Sequence, residues 1–451
     1  MLKQSAFLQI IPNGNVFIAY HALFGQPLFL NQEAYDFLRT FSNWREDNFA
    51  TIEEKKTASE FLDLYFIVSE ETDELALLES KCQEYSRVVA SGSQVRYLSL
   101  IMAETCNFGC NYCFAEAFNE ARMEESCQPL MGAGIANCAI DQFMALANSH
   151  NQPDVYINFG GGEPLLNFRT IVKAVEYIES KYTKIPVKFG INTNASLITD
   201  EIALFLKLHN FEIATSLDGP QKWNDKVRTY RGSKKETYGA IQRGFAQLKR
   251  AGNIVDGFSV TITPQNLPGI NKRFIKWLAN QGYTDIRLDL DAIHCYSEIN
   301  PEKVALKLIA LKRYGRELGM YISGFWERSL ENMYPPILES HTSFCGGKRG
   351  NSMCVAPNGN IYLCGYSGQK VGSVINDPLP NKTYTDLVCA QFAGLHRQCN
   401  GCPIEGQCIG GCLIAEEISS AEKSSIMDFN CRLYRAATVQ LLKDQSVIID
   451  D

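Results

Sequence analysis

Cys106-Asn107-Phe108-Gly109-Cys110-Asn111-Tyr112-Cys113 follows directly on the apolar run Tyr97–Met102. The spacing is Cys-x3-Cys-x2-Cys. Three thiolates this close can wrap one cubane iron–sulfur cluster and leave its fourth iron without a protein ligand. An open iron is what substrate chemistry requires. The place also fits, because active sites of strand–helix barrels gather at the C-terminal ends of the strands. The alternatives are buried thiols or a zinc site, and structural zinc normally wants four closed protein ligands.

Outward from that motif, apolar strands alternate with amphipathic helices. Strands are expected at Tyr97–Met102, Val155–Phe159, Val187–Ile191, Glu212–Ser216, Phe258–Thr263 and Ile286–Asp291. Between them Ile171, Val175, Ile178 and Tyr182 share a helical face, and Tyr238–Ala251 is a helix ended by Gly252. Six such units predict a parallel sheet with right-handed crossovers. Six is fewer than the eight of a closed barrel. The fold class is therefore α/β, a partial (β/α)6 TIM-like barrel over residues 95–320, whose open side admits a large substrate.

Two segments flank it. In residues 1–90, Phe7–Ile11 and Val16–Tyr20 surround the hairpin signal Pro12-Asn13-Gly14-Asn15. Ala34, Tyr35, Leu38 and Phe41 then mark a helix, Ile52–Leu64 a second, and Ser69–Leu78 a third with Ser69 as N-cap. Short strands with three helices look like a winged-helix module; the plainer reading is a structural cap. Residues 321–451 are rich in Cys and Gly and poor in periodic pattern, so metal rather than an apolar core is expected to hold them. Pro301–Gly319 reads as a bridging helix.

After the second strand comes Gly160-Gly161-Gly162-Glu163-Pro164. Glycines let backbone approach a ligand closely, and Glu163 can accept from a cationic amine. Asn192-Thr193-Asn194 ends the third strand, Ser216-Leu217-Asp218-Gly219 the fourth, and Asp225-Lys226-Val227-Arg228 follows. Arg228 suits a carboxylate as a bidentate donor. The plain alternatives are turn chemistry for Asn194 and Asp218, and a surface salt bridge for Arg228.

With these motifs the chain resembles the radical S-adenosylmethionine (SAM) superfamily. The match includes the aromatic Tyr112 before the third Cys. The resemblance implies a 4Fe–4S cluster on Cys106, Cys110 and Cys113 whose open iron chelates SAM, and a 5′-deoxyadenosyl radical that abstracts hydrogen. It implies SAM contacts from Tyr112, Gly161, Gly162, Glu163, Asn194, Ser216 and Arg228, with Glu163 near the amino group and Ser216 near the ribose.

Toward the C-terminus, Cys345-x13-Gly359-x4-Cys364 precedes Cys399-x2-Cys402-x5-Cys408-x3-Cys412 and Cys431, with Cys354 inside the first gap. This resembles the SPASM domain of peptide-modifying radical SAM enzymes, although Cys-x2-Cys also suits zinc. The resemblance implies two auxiliary 4Fe–4S clusters, one on Cys345, Cys354, Cys364 and Cys412, the other on Cys399, Cys402, Cys408 and Cys431. The first segment is then similar to the recognition element that binds the leader of a ribosomal precursor peptide by strand addition.

The implied activity is that of a radical SAM oxidoreductase maturing a precursor peptide through a carbon–carbon or thioether crosslink. Formylglycine formation, as in anaerobic sulfatase maturases, and peptide epimerisation are alternatives. Gly365 and Tyr366 follow Cys364 where the sulfatase maturases place an acidic base, which counts against the former. A non-enzymatic electron carrier would not need Glu163, Ser216 and Arg228. For the catalytic acid or base, Asp289 and Asp291 alternate with Leu288 and Leu290 and share one face of the last strand. They are either interior and able to take a proton, or solvent-facing.

The net charge of −7 argues against nucleic acid as partner. No apolar run spans a bilayer and the N-terminus lacks a signal-peptide pattern, so a cytoplasmic protein with a flavodoxin- or ferredoxin-type reductant is expected. In that compartment 16 unevenly spread cysteines read as metal ligands rather than disulfides. The remaining five, Cys82, Cys127, Cys138, Cys295 and Cys389, are expected to be buried structural thiols.

Overall fold

The computed structural model describes residues 1–40, 42–44, 51–113, 129–291, 298–334, 344–393, 399–422 and 425–447, so Phe41, Cys127 and Cys295 lie outside it. The chain begins with β1 (Leu2–Gln4), β2 (Leu8–Asn13), β3 (Val16–His21), β4 (Gly25–Leu30), β5 (Ser42–Trp44) and β6 (Ile67–Ser69). They form two three-stranded sheets, β5-β1-β6 and β2-β3-β4. Helices Gln32–Arg39, Ile52–Asp63 and Glu74–Ser91 accompany them. The third helix starts later than expected. Ser69 belongs to β6 and pairs with Leu2. Asp73 caps the helix instead, its carboxylate accepting from the Leu75 and Ala76 amides at 3.0 Å. Glu74, Ser5 and His21 then form a buried polar cluster that pins this helix to β3.

The expected strands all form: β7 (Tyr97–Ala103), β8 (Val155–Gly161), β9 (Val187–Thr193), β10 (Glu212–Ser216), β11 (Gly257–Ile262) and β12 (Asp285–Leu290). Each pairs parallel with the next in order. The sheet is wider than expected. β13 (Tyr321–Ser323) adds parallel to β12, and β14 (Ser352–Val355) adds parallel to β7. β15 (Asn360–Tyr362) and β16 (Lys370–Ser373) extend it antiparallel to ten strands, and the sheet does not close.

Period-two alternation decides what the curved sheet holds. Leu98, Leu100, Ile157, Phe159 and Ile191 point outward and are buried under helices such as Ala133–Ser149 and Phe168–Lys181. The inner face carries small or polar side chains. Ser99 pairs with Asn158, Asn192 with Ala214, Ala214 with Gly257, and Ser216 with Ser259. A closed barrel would fill this face with branched side chains; here it is left as a wall.

The C-terminal segment departs from its expectation. Helix Ser425–Val447 buries Phe429, Leu433, Tyr434, Ala437, Leu441 and Leu442 in the main core, against helix Pro301–Glu317. An amphipathic helix, not metal alone, therefore holds this region. Among the described residues no helix is long and apolar enough to cross a membrane.

Candidate active site

A cavity of about 420 Å³ runs from the cysteine loop down the inner face of the sheet to Gly257 and Asp285. That volume is within the range of small-molecule sites. Cys106, Cys110 and Cys113 all line it. The loop is docked by its backbone: the Gly109 amide donates to Thr229 O at 2.8 Å, Asn111 N to Val227 O at 3.0 Å, and Arg231 N to Asn107 O at 3.0 Å. Neutral donors address the first sulfur, with Phe108 N at 3.3 Å and Asn194 Nδ2 at 3.7 Å from Cys106 Sγ. Burial pushes the Cys106 thiol up to about 12, against the Phe108 amide, and Cys110 up to about 11, against Arg228.

Behind the loop sits a buried cluster of Tyr112, Asp218 and Arg228. Arg228 Nε donates to Asp218 Oδ2 at 3.1 Å, its Nη2 to the Tyr112 hydroxyl, and that hydroxyl to Asp218. Asp218 also accepts from Thr261 N at 2.9 Å. The salt bridge foreseen for Arg228 therefore exists, but it is buried, with side chains 7% and 0% exposed. Nε and one proton of Nη2 are engaged inside the protein, so a bidentate grip on a ligand carboxylate would fall to the Nη1–Nη2 edge. Arg228 still reaches the cavity wall.

The glycine motif works differently from its sequence reading. Gly161 has φ +120°, and a Cβ there would meet Ala103 O at 2.3 Å; one on Gly162 would meet Thr105 O at 2.3 Å. The close approach is to the chain's own backbone. Gly162 N donates to Ala103 O at 2.8 Å and Glu163 N to Thr105 O at 3.0 Å, fixing the residues just before Cys106. Glu163 is fully buried and off the cavity lining. Its carboxylate accepts from Thr193 Oγ1 at 2.7 Å, Asn194 N at 2.8 Å and Leu165 N at 3.1 Å. It ties the end of β8 to the end of β9 rather than presenting itself to an amine.

Burial raises the Glu163 carboxyl from 4.5 to about 7, against the Asn194 and Thr193 donors. A raised folded value means stability that is complete below 4.5 and is lost as pH rises through about 7. The unfolding free energy of the protein relative to its Glu163→Gln variant is therefore expected to fall across that window and level off above it. Denaturant titrations at several pH values check this; a rise with pH contradicts it.

Ser216, half-buried, and Asn194 line the cavity, and Asn194 also bonds Asn107 Oδ1 at 2.9 Å. The aspartates of the last strand do not behave as expected. Asp289 shares the inner side with Arg287 and Asp285, but it is ion-paired to Arg287 and accepts from Phe325 N at 2.6 Å. A carboxylate held this way is poorly placed as a base. Asp291 lies beyond the strand, is 4% exposed, and does not line the cavity. Asp285 and Arg287 do. The same alternation, counted back from Asp289, points to both. Tyr366 also lines the cavity, its hydroxyl donating to Gly161 O at 3.3 Å. Its electrostatic neighbours are Cys113 and Cys106 of the first motif and Cys364 and Cys354 of the C-terminal segment.

The eight C-terminal cysteines gather in two groups. Cys364 interacts with Cys354, Cys412 and Cys345, while Cys408 interacts with Cys431, Cys402 and Cys399. Among the described residues no three Cys, His, Asp or Glu side chains gather as closely as one metal ion requires. Of the other cysteines, Cys82 and Cys389 neighbour each other and Cys138 Sγ lies 3.1 Å from Val374 O. All three are half-buried rather than fully buried.

A model of the Radical SAM superfamily matches residues 100–281, the span from β7 to the helix before β12. The chain belongs to the radical SAM superfamily. It is 22% identical to the radical SAM cyclopropyl synthase TigE of Paramaledivibacter caminithermalis, covering 96% of this chain and 94% of TigE. Its fold is similar to that of anSMEcpe with bound AdoMet (TM-score 0.62, 17% identity, 78% of this chain and 99% of that one). It is also similar to that of Streptococcus suis SuiB bound to S-adenosylmethionine (TM-score 0.54, 16% identity, 94% and 98%).

The radical SAM family implies a 4Fe–4S cluster and SAM, and the residues fit both. Three half-buried thiols that line the cavity supply an incomplete ligand set opening onto it. The cavity offers a small molecule Ser216, Asn192 and Asn194 as polar contacts and backbone at Gly161 and Gly162.

Proposed function

We propose that this radical SAM enzyme matures a ribosomal precursor peptide, removing hydrogen from it and closing an intramolecular carbon–carbon or thioether crosslink. What supports this most is the position of the cavity. It is lined both by the Cys106–Cys113 loop and by Tyr366, whose electrostatic neighbours include Cys364 and Cys354. When bound, a 4Fe–4S cluster with SAM supplies the 5′-deoxyadenosyl radical, and two auxiliary clusters supply acceptors for the electron that crosslinking releases.

The chain's own residues do the positioning. Asn194 and the Phe108 amide hold Cys106 Sγ, the Tyr112–Asp218–Arg228 cluster fixes the back of the loop, and Ser216 presents a hydroxyl to the cavity, where it would suit a ribose. Residues 1–90 serve as a leader-binding module, 95–320 as the radical SAM core, and 321–451 as the SPASM domain. The turn between β3 and β4 abuts the second thiol group, since Gly406 N donates to Ala22 O at 2.9 Å. A leader bound there raises the effective concentration of the core peptide at the cavity. SuiB, whose fold is similar, has been solved bound to precursor peptide SuiA, which supports a peptide as substrate. A flavodoxin or ferredoxin is the proposed reductant, in the cytoplasm.

The test uses the short peptide encoded beside the gene, incubated anaerobically with reconstituted protein, SAM and dithionite. The expected product has lost one pair of hydrogens. Solvent deuterium uptake without oxidation indicates epimerisation instead, and an aldehyde at Cys or Ser indicates formylglycine formation. Either of these, or an unmodified peptide, overturns the crosslinking assignment.

A further inference from the structure

Lys348 is a buried cation that the reading above does not use. It lies three residues after Cys345, in the short helix Gly346–Arg349 that Cys345 caps. Its side chain is 2% exposed. A buried ammonium persists only with partners, and Lys348 has two. Its Nζ donates to Ile409 O at 3.0 Å and to Glu416 Oε2 at 3.0 Å.

Ile409 belongs to an unusual turn. Ile409, Gly410 and Gly411 have φ of +47°, +72° and +79°. A β-branched residue in the left-handed region is an outlier held by its surroundings. The turn separates Cys408 from Cys412, and the two cysteines belong to different thiol groups. The ammonium is therefore anchored on the one short segment that both groups share. Ile409, whose carbonyl accepts from Lys348 Nζ at 3.0 Å, directly follows Cys408 and stands three residues before Cys412. Its counter-charge is Glu416, which is 40% exposed.

We propose that Lys348 is a positioning residue that sets the reduction potentials of both auxiliary clusters together, through one ammonium fixed at the Cys408–Cys412 turn. This rests on the reading that the eight C-terminal cysteines hold two clusters. Reduction adds negative charge, so a nearby buried cation favours the reduced form, and cluster potentials respond to local charge and hydrogen bonding. With the cation in place, both clusters become better acceptors for an electron leaving a product radical.

The experiment is a potentiometric titration followed by electron paramagnetic resonance. It uses full-length protein reconstituted anaerobically with iron and sulfide, carrying Cys106→Ala, Cys110→Ala and Cys113→Ala so that only auxiliary signals remain. Lys348→Met is expected to lower both midpoints by a tenfold or greater change in the reduction equilibrium, about 59 mV for a one-electron couple. Glu416→Gln unmasks the same cation and is expected to raise both, by roughly threefold in that equilibrium because Glu416 is partly solvated.

A role confined to holding the turn predicts no such opposed pair of shifts. If Lys348→Met retains iron and leaves both midpoints unmoved, or moves only one, the proposal is wrong. If Lys348→Met cannot hold iron, Glu416→Gln decides: raised midpoints support the proposal, and unmoved or lowered midpoints overturn it. If the background protein itself holds no iron, the two-cluster reading fails and takes the proposal with it. Iron retained with unmoved midpoints overturns the role of Lys348 alone.

Discussion

Gly162→Ala is expected to abolish SAM cleavage, with 5′-deoxyadenosine formation falling by roughly 100-fold or more. The added methyl would sit 2.3 Å from Thr105 O and 2.7 Å from Thr105 C, both backbone atoms one residue before the first cysteine. Neither can swing aside as a side chain would. The strand-end bonds from Gly162 N to Ala103 O and from Glu163 N to Thr105 O must break or the loop must shift. Overpacking of this kind destabilises by about 1–3 kcal/mol. The effect on turnover is larger, because a displacement of about 1 Å at a reacting centre is enough for a roughly 100-fold loss. Quantifying 5′-deoxyadenosine and bound iron together checks this. A variant with full iron content and ordinary turnover shows that the glycine does not hold the loop.

Asp218→Ala carries the second large effect. Asp218 is fully buried and takes hydrogen bonds from Arg228, Tyr112 and the Thr261 amide. Removing it leaves the Arg228 guanidinium buried without its counter-charge, which destabilises by about 3–5 kcal/mol. Replacing both charges with apolar residues, Asp218→Leu with Arg228→Met, is expected to recover most of that stability, since the desolvation penalty goes with the charges. It is not expected to recover SAM cleavage, because Tyr112 and the loop lose their polar support. Chemical denaturation of the single and double variants, beside 5′-deoxyadenosine yields, separates the two roles. Equal stability of Asp218→Ala and wild type contradicts the geometry.

The barrel strands were legible because they are long and their outer faces are continuously apolar. The extent of the sheet was not. Tyr321–Ser323 and Ser352–Val355 are too short to show a period, and they join the sheet only through pairing with β12 and β7. The cysteines of the first motif were read by spacing, and the partition of the later eight came from a resemblance rather than from spacing. What spacing does not carry is the direction of a side chain once its neighbours are in place. Glu163 and Arg228 have the right chemistry to hold a zwitterion, yet Thr193, Asn194 and Leu165 claim the first, and Asp218 and Tyr112 claim two donors of the second.

The same limit explains Asp289. Alternation put it on one face with Asp291 and left open which side that face meets, and only the fold brings Arg287 and the Phe325 amide against it. Tyr366 carried no sequence signal beyond standing two residues after Cys364. Its place near both thiol groups depends on β7 and β14 being neighbours in the sheet.

The most direct measurement is 5′-deoxyadenosine production from SAM by the anaerobically reconstituted, dithionite-reduced protein, compared with its Cys106→Ala, Cys110→Ala and Cys113→Ala variants. Production by the parent protein and none by any variant is the predicted result. Undiminished production after loss of any one thiol, or none from the iron-loaded parent, would contradict an incomplete cluster ligand set at the mouth of this cavity.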